Sequence, residues 1–530
     1  MSASNESAIS RRGFLAGFAA LGAMGAVGLA GCASERPADS NALADTADSA
    51  PVEADEVVDA DIVIIGAGAS GLACAVQAAQ DGLKTLLLEK AGEIGGNCNG
   101  TEGIFAIGSR IQKAQGIEID PSSVVRRELE FSHFRANGSM WLDMINSSAD
   151  NLAWLEENGV AFKDEAEGMP PFLTGHRFKD EAGANNYVPP MAAAAESAGA
   201  DIKTGMRATK LICDDGIVRG VYATAEDGSI LQVNAPAVVL ATGGVGCNKE
   251  LLVGQGWTQE KLDTMMVQGV PSVEGDGYLM AMEAGAKDFL PNAALQAFNG
   301  VPAFGFDSTP PYSSTLNSAV GIAAGGPSIW VNEDAVRFND ESLCFTYNMA
   351  ATATALMCNK DNYLLFDQAI LDSCVQDKAD RAAVDAALDG SHDDSIFKAD
   401  DVRVLAENFQ LDADALASTF ERYNTFCAEG TDLDFGKNPA FLKPLDTPPF
   451  YLAKISNLLI AVDGGVTTNA RAEALDHHMN PIPGLYAVGL DGAMLWRNVY
   501  TQAIGGTMMG NNVYSGRNAA RNAKEYIATL

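Results

Sequence analysis

The hexapeptide Gly66-Ala67-Gly68-Ala69-Ser70-Gly71 holds the clearest chemistry in the sequence. At this spacing the first glycine permits a tight turn, Gly68 lets backbone approach a pyrophosphate, and Gly71 allows a helix to sit close against a strand. The N–H groups of the helix that starts here face the phosphates. Glu89, followed by Lys90, comes at about the 20-residue distance where an acid meets a ribose hydroxyl. Together these residues describe a site for a dinucleotide whose own ring would do redox work.

The elements needed to position them are present. Asp61 to Ile65 is a β-branched run of strand length, Leu72 to Gln80 has helical composition, and a second strand, Lys84 to Leu88, delivers Glu89. Further glycine turns follow: Gly95-Gly96-Asn97, then Ala241-Thr242-Gly243-Gly244 after the buried run Val238–Leu240, and Gly489 to Asp491 after Leu485–Val488. The fingerprint alone does not choose between NAD and FAD.

The chain has 530 residues, 47% of them hydrophobic, enough for a large core and several domains. A net charge of -34 repels phosphate backbones and anionic lipid, which excludes nucleic acid as a partner. Arg11-Arg12 before a Gly/Ala-rich apolar run reads as a twin-arginine export signal over 1–31, and Leu29-Ala30-Gly31-Cys32 as a lipobox. Cys32 would carry the lipid, holding the protein at the outer face of the membrane with no other membrane contact. Residues 32–57 read as a solvated tether. The nine cysteines are scattered without a CxxC, so spacing argues for no iron–sulfur cluster, metal or haem.

These motifs make the chain resemble the flavoprotein family of soluble fumarate reductases, urocanate reductases and 3-ketosteroid dehydrogenases. Other carriers are Gly275-Asp276-Gly277, Val331-Asn332 through Arg337-Phe338, Glu421 to Asn424, and Asp432 to Gly436. The resemblance implies an α/β fold in which a Rossmann-like FAD-binding domain (58–290 and 456–530) is interrupted by an α+β capping domain (291–455). It implies FAD as cofactor, with Glu89 on the adenosine ribose, Gly95 to Asn97 and Asp276 near the ribityl and phosphate region, and Asp491 on the ribityl chain. Gly505-Gly506 would open a last helix facing the flavin edge. No family-type covalent histidine stands beside Gly96, so the FAD is expected to be non-covalent.

Fumarate reduction needs cations or imidazoles to hold two carboxylates. Register from the flanking motifs puts the family's two histidines on Phe298 and Ala461, and its two arginines on Phe345 and Ala503. A dicarboxylate would lose its hydration there without gaining partners. An apolar or aromatic small molecule, such as a steroid lactone, enone or aryl-propenoid, is the expected substrate. Tyr500, Arg497 and Tyr347 are the candidate proton donors, with Tyr500 favoured; Asp463, Met508 and Met509 could line the flavin, and His133 and His176 read as structural. With no second dinucleotide fingerprint and no CxxCH, electrons are expected from a separate membrane cytochrome or flavinylated carrier. A dehydrogenase of ketosteroid type, a fumarate- or urocanate-type reductase and a non-catalytic FAD-binding lipoprotein are the competing readings.

Overall fold

Four apolar residues, Ile62–Ile65, form strand β1, and all four are buried, as a strand covered on both faces requires. The computed structural model describes residues 52–180, 182–253, 257–267, 269–304, 326–342, 358–500 and 504–530, with Phe298, Asn299 and Phe304 as backbone only. After the turn at Gly66, helix α1 (Ala69–Gln80) starts from Gly68 and buries nearly every residue. Strands β2 (Thr85–Leu88), β3 (Asp201–Lys203) and β4 (Ala237–Leu240) lie parallel to β1. On the surface, helix α2 (Pro121–Phe131) begins with Asp120 capping Ser122 N and a proline in its first turn, and turns Val124 and Glu128 inward.

Two long strands, β5 (Ala294–Gly300) and β6 (Ser456–Asp463), pair antiparallel with a bulge that leaves Ile460 unpaired opposite the Gln296–Ala297 step. Strands β7 (Glu473–Leu475) and β8 (Pro481–Ala487) complete the central sheet, whose order is β7-β8-β4-β1-β2-β3, with only the β7 edge antiparallel. The final helix, α3 (Thr507–Ile527), packs on α1 so closely that a Cβ at Gly516 would lie 2.3 Å from the Ser70 carbonyl oxygen.

A separate apolar core extends from Val301 to Ile455 around an antiparallel sheet of Ile329–Asn332, Asn362–Asp367, Phe450–Lys454 and Ile396–Ala399. Beneath it Arg337 forks onto Glu341 and Asp432, and the fully buried Lys437 donates to Ser328 O and Tyr423 Oη. These charges are paired, which lets them be buried. The architecture is α/β: a Rossmann-like domain with a capping domain inserted in its chain.

One difference from the sequence reading lies at the N-terminal edge. Glu56 and Val57, assigned to the tether, already belong to a strand, Glu56–Asp59, that pairs in parallel with Ile230–Asn234. A four-residue edge strand has too little pattern to be told from linker until its distant partner is known. The signal segment, Cys32 and nearly all of the tether lie outside the described residues, as do Phe345, Tyr347 and Ala503. Among the described residues no helix is long and apolar enough to cross a membrane.

Candidate active site

The glycine turn creates its cavity by excluding side chains in one direction and leaving space in the other. A Cβ on Gly71 would fall 1.8 Å from Gly66 O, and one on Gly66, at φ 105°, 2.3 Å from Ala241 O. At Gly68 the nearest atom to such a Cβ is Gly95 O at 3.7 Å, so the backbone borders open space. That space is a cavity along the carboxyl ends of β1, β2 and β4, where ligands of open α/β sheets bind. Together with its open mouth the space amounts to about 1160 Å³, and its lining runs from Glu89 past the glycine turns to Gln296 and Ala461.

At one end of the cavity Glu89 accepts from Ala67 N at 2.8 Å and Ala91 N at 2.9 Å, which fixes its carboxylate beside the turn. Lys90 bonds Asp276 at 2.7 Å, and Arg207 bonds the other oxygen of Asp276 at 2.6 Å. Ala69, Ser70, Gly95, Gly96, Asn97, Ala241, Thr242 and Gly243 also line the cavity. Asn97 Oδ1 accepts from Val270 N at 2.7 Å, tying the 95–97 turn to the far wall.

Other expected residues stand one layer back. Asp491 is fully buried and accepts from Thr242 Oγ1 and from the N–H groups of Thr242 and Gly244, holding the 241–244 turn in shape. Burial raises its carboxyl to about 6 against those hydrogen bonds. Gly489 packs against Ser70, where a Cβ would meet Oγ at 2.4 Å. Gly506, at φ 77°, lies against the Ile104–Phe105 backbone, and its carbonyl accepts from Phe105 N–H. Gly505, beside Gly175, and Gly506 border α3 rather than the cavity, which the helix reaches through Met508 and Asn512.

The opposite end is lined by Gln296, Ile460, Ala461, Leu490 and Met508. Among the described residues lining the whole cavity, Lys90 is the one basic side chain and no histidine is present. Ala461, on which the sequence register put an imidazole position, lies directly across the ladder from Gln296. Of Phe298 only the backbone is described, opposite Leu458.

Tyr500 is buried with its hydroxyl 3.0 Å from Thr507 Oγ1 and bonded to Met508 N–H, immediately behind the cavity wall. Burial raises its phenol, with Asp463 and Glu128 adding to the effect. Arg497 is placed elsewhere: it is exposed, donates to Asn292 at 3.1 Å and lies over the Phe289 ring. It does not line the cavity, because the Trp496–Tyr500 turn buries Trp496 and Tyr500 and directs Arg497 outward. His176 is a core residue held by Ser109 Oγ at 2.8 Å and Thr174 O at 3.0 Å, with its ring lowered by burial, and His133 is exposed in a turn. Met509 is packed into the core of α1 and α3.

Sequence reasoning singled out neither Gln296 nor Asn512 as a wall residue. Gln296 is two residues before Phe298 on one strand, and the period of two was the available signal. Asn512 Oδ1 is buried without a hydrogen-bond partner among the described residues, on the cavity wall. An unfilled acceptor, an open glycine cradle and an acid fixed beside it fit a flavin dinucleotide. Among the described residues no cluster of His, Cys, Asp or Glu suits a metal.

Glu128, whose charge acts on Tyr500, is buried with Oε1 unpartnered among the described residues, and burial lifts its carboxyl to about 8 against the pull of Arg127. The folded-state value lies above the ordinary 4.5, so stability from the neutral acid is complete below about pH 4.5 and is lost as pH rises through about 8. Raising pH from about 5 to about 9 is expected to cost wild type on the order of a few kcal/mol more than Glu128→Gln. Urea unfolding at both pH values checks this; parallel losses would refute it.

Residues 61–499 match the FAD binding domain family. The chain is 33% identical over 492 residues to vinyl phenol reductase of Lactiplantibacillus plantarum, covering 88% of this chain and 96% of that one. It is 28% identical over 559 residues to digoxin reductase of Eggerthella lenta, covering 98% and 97%. In fold it is similar to the open conformation of a flavocytochrome c3 fumarate reductase, with TM-score 0.66 and 24% identity over 89% of this chain and 79% of that one. With the glycine cradle, Glu89 and the coverage of these matches, the chain belongs to the fumarate reductase and succinate dehydrogenase flavoprotein family, as an FAD-dependent oxidoreductase acting on carbon–carbon double bonds.

Proposed function

We propose that this enzyme reduces an activated C=C bond in an apolar, aromatic small molecule, with an aryl alkene of the vinylphenol kind as the leading candidate. The observation that carries this is the uncharged far wall of Gln296, Ile460, Ala461, Leu490 and Met508. Two substrate carboxylates would stay unpaired there, whereas an aromatic ring buries apolar area. The similarity to vinyl phenol reductase supports the same choice. Enones of the steroid-lactone type are the second reading, supported by the similarity to digoxin reductase.

Bound non-covalently, FAD supplies hydride from its N5 position. The chain's own part is to hold the cofactor through Glu89, Gly68 and the 95–97 and 241–244 turns, to keep water from the far wall, and to provide a proton. Tyr500 is the proposed donor. Its hydroxyl remains protonated because burial disfavours phenolate, and Thr507 and Met508 N–H orient it. Electrons arrive from a separate membrane cytochrome or flavinylated carrier. The twin-arginine segment and Cys32 support export and lipid anchoring at the outer face of the cytoplasmic membrane.

With reduced viologen as donor, the holoenzyme is expected to turn over 4-vinylphenol and to leave fumarate unreacted; turnover confined to fumarate overturns the reading. Tyr500→Phe should lower kcat at least about 100-fold with the cofactor still bound, as loss of a general acid does; an unchanged kcat removes Tyr500 from the mechanism. Cys32→Ala should move the protein from the membrane fraction to the soluble one, and equal partition of both forms would rule out the anchor.

A further inference from the structure

Among the described residues Gln296, Ile460, Ala461, Leu490 and Met508 of the uncharged wall, one side chain is polar. Gln296 is 6% exposed and lines the cavity among Ile460, Ala461, Leu490 and Met508. Its amide is fixed from behind: Nε2 donates to Asp463 Oδ1 at 2.8 Å and Oδ2 at 3.1 Å. Asp463 is fully buried, and Gln296 is its side chain's hydrogen-bond partner among the described residues. The ladder explains the pairing. Gln296 faces Ala461 and Ala294 faces Asp463, so alternation puts all four on one face of the β5–β6 ribbon. With both carboxyl oxygens on the nitrogen side, the amide presents Oε1 as an acceptor that has no hydrogen-bond partner among the described residues.

We propose that Gln296 Oε1, oriented by Asp463, is the subsite for a hydroxyl group on the substrate's aromatic ring, which makes the preferred substrate a hydroxyphenyl alkene rather than an unsubstituted or etherified one. This rests on the aryl-alkene reading above and adds a residue-level selector to it. The physical ground is an asymmetry. Beside an apolar ring with water excluded, Oε1 would lose its hydration and gain nothing, whereas a ring O–H satisfies it. Sites built to bond a substrate hydroxyl reject analogues lacking it for this reason. The alkyl wall around Gln296 accepts the rest of the ring. Gln296 would touch substrate, while Asp463 acts through it as a positioning residue that stops the amide from rotating.

The test compares 4-vinylphenol with its methyl ether, 4-methoxystyrene, in wild type, Gln296→Leu and Asp463→Asn holoenzymes. Affinity for the saturated pair, 4-ethylphenol and 4-ethylanisole, is measured by calorimetry without turnover. Wild type is expected to prefer the phenol by about ten- to a hundredfold in kcat/KM and in affinity. Gln296→Leu should remove the preference, and Asp463→Asn should weaken it while Gln296→Glu, which keeps an acceptor, retains part of it. Equal handling of phenol and ether by wild type overturns the subsite. So does a Gln296→Leu variant in which both compounds suffer equally and the flavin absorption band shifts, since Gln296 would then serve the cofactor. If neither alkene is turned over, the aryl-alkene reading fails, and the calorimetric pair still decides the subsite: a phenol preference lost in Gln296→Leu supports it, and equal affinities refute it.

Discussion

Everything in this molecule is arranged around one close approach of backbone to backbone. Gly71 sits where any side chain would run into the Gly66 carbonyl, Gly66 where it would run into Ala241, and Gly516 where it would run into Ser70. The first strand, the first helix, the fourth strand of the sheet and the last helix thus meet with no side chain between them. A cofactor can lie against that junction because backbone N–H groups, not side chains, form its surface. Asp491 adds a second constraint, bonding the 241–244 turn from the C-terminal part of the chain.

The parts of the site that were legible in the sequence are those fixed by backbone geometry. Gly68, Glu89, Gly95 to Asn97 and Ala241 to Gly243 occupy the cavity wall because local rules dictate glycine for close approach and an acid at a set distance. The central sheet was legible for the same reason, since buried parallel strands write themselves as unbroken apolar runs. Gln296 and Asn512 were not. Their roles depend on a bulge at Ile460 and on the rotation of a helix against the sheet, which no local pattern records. Arg497 shows the reverse failure. Its sequence neighbourhood suggested the cavity, but the turn that buries Trp496 and Tyr500 sends it outward.

Charge is distributed along the cavity as its length demands. Glu89, Lys90, Asp276 and Arg207 cluster at the dinucleotide end, paired with one another and with backbone. The far end has no such groups among the described residues, and the acids near it, Asp463 and Glu128, are withdrawn behind the wall with their ionisation suppressed by burial. A low-dielectric end of this kind strengthens each hydrogen bond made in it and penalises each one left unmade. On the proposed reading, selectivity there would rest on the placement of single atoms more than on net charge.

The order of the central sheet also sets the timing of assembly. Strand β8, which pairs with β4, and helix α3, which packs on α1, are encoded after the whole capping domain. A nascent chain that has made its fingerprint turn and Glu89 still lacks one wall of the cavity until its last helix has emerged from the ribosome. A chain truncated before α3 would have the recognisable motif yet lack the part of the wall that Met508 and Asn512 supply.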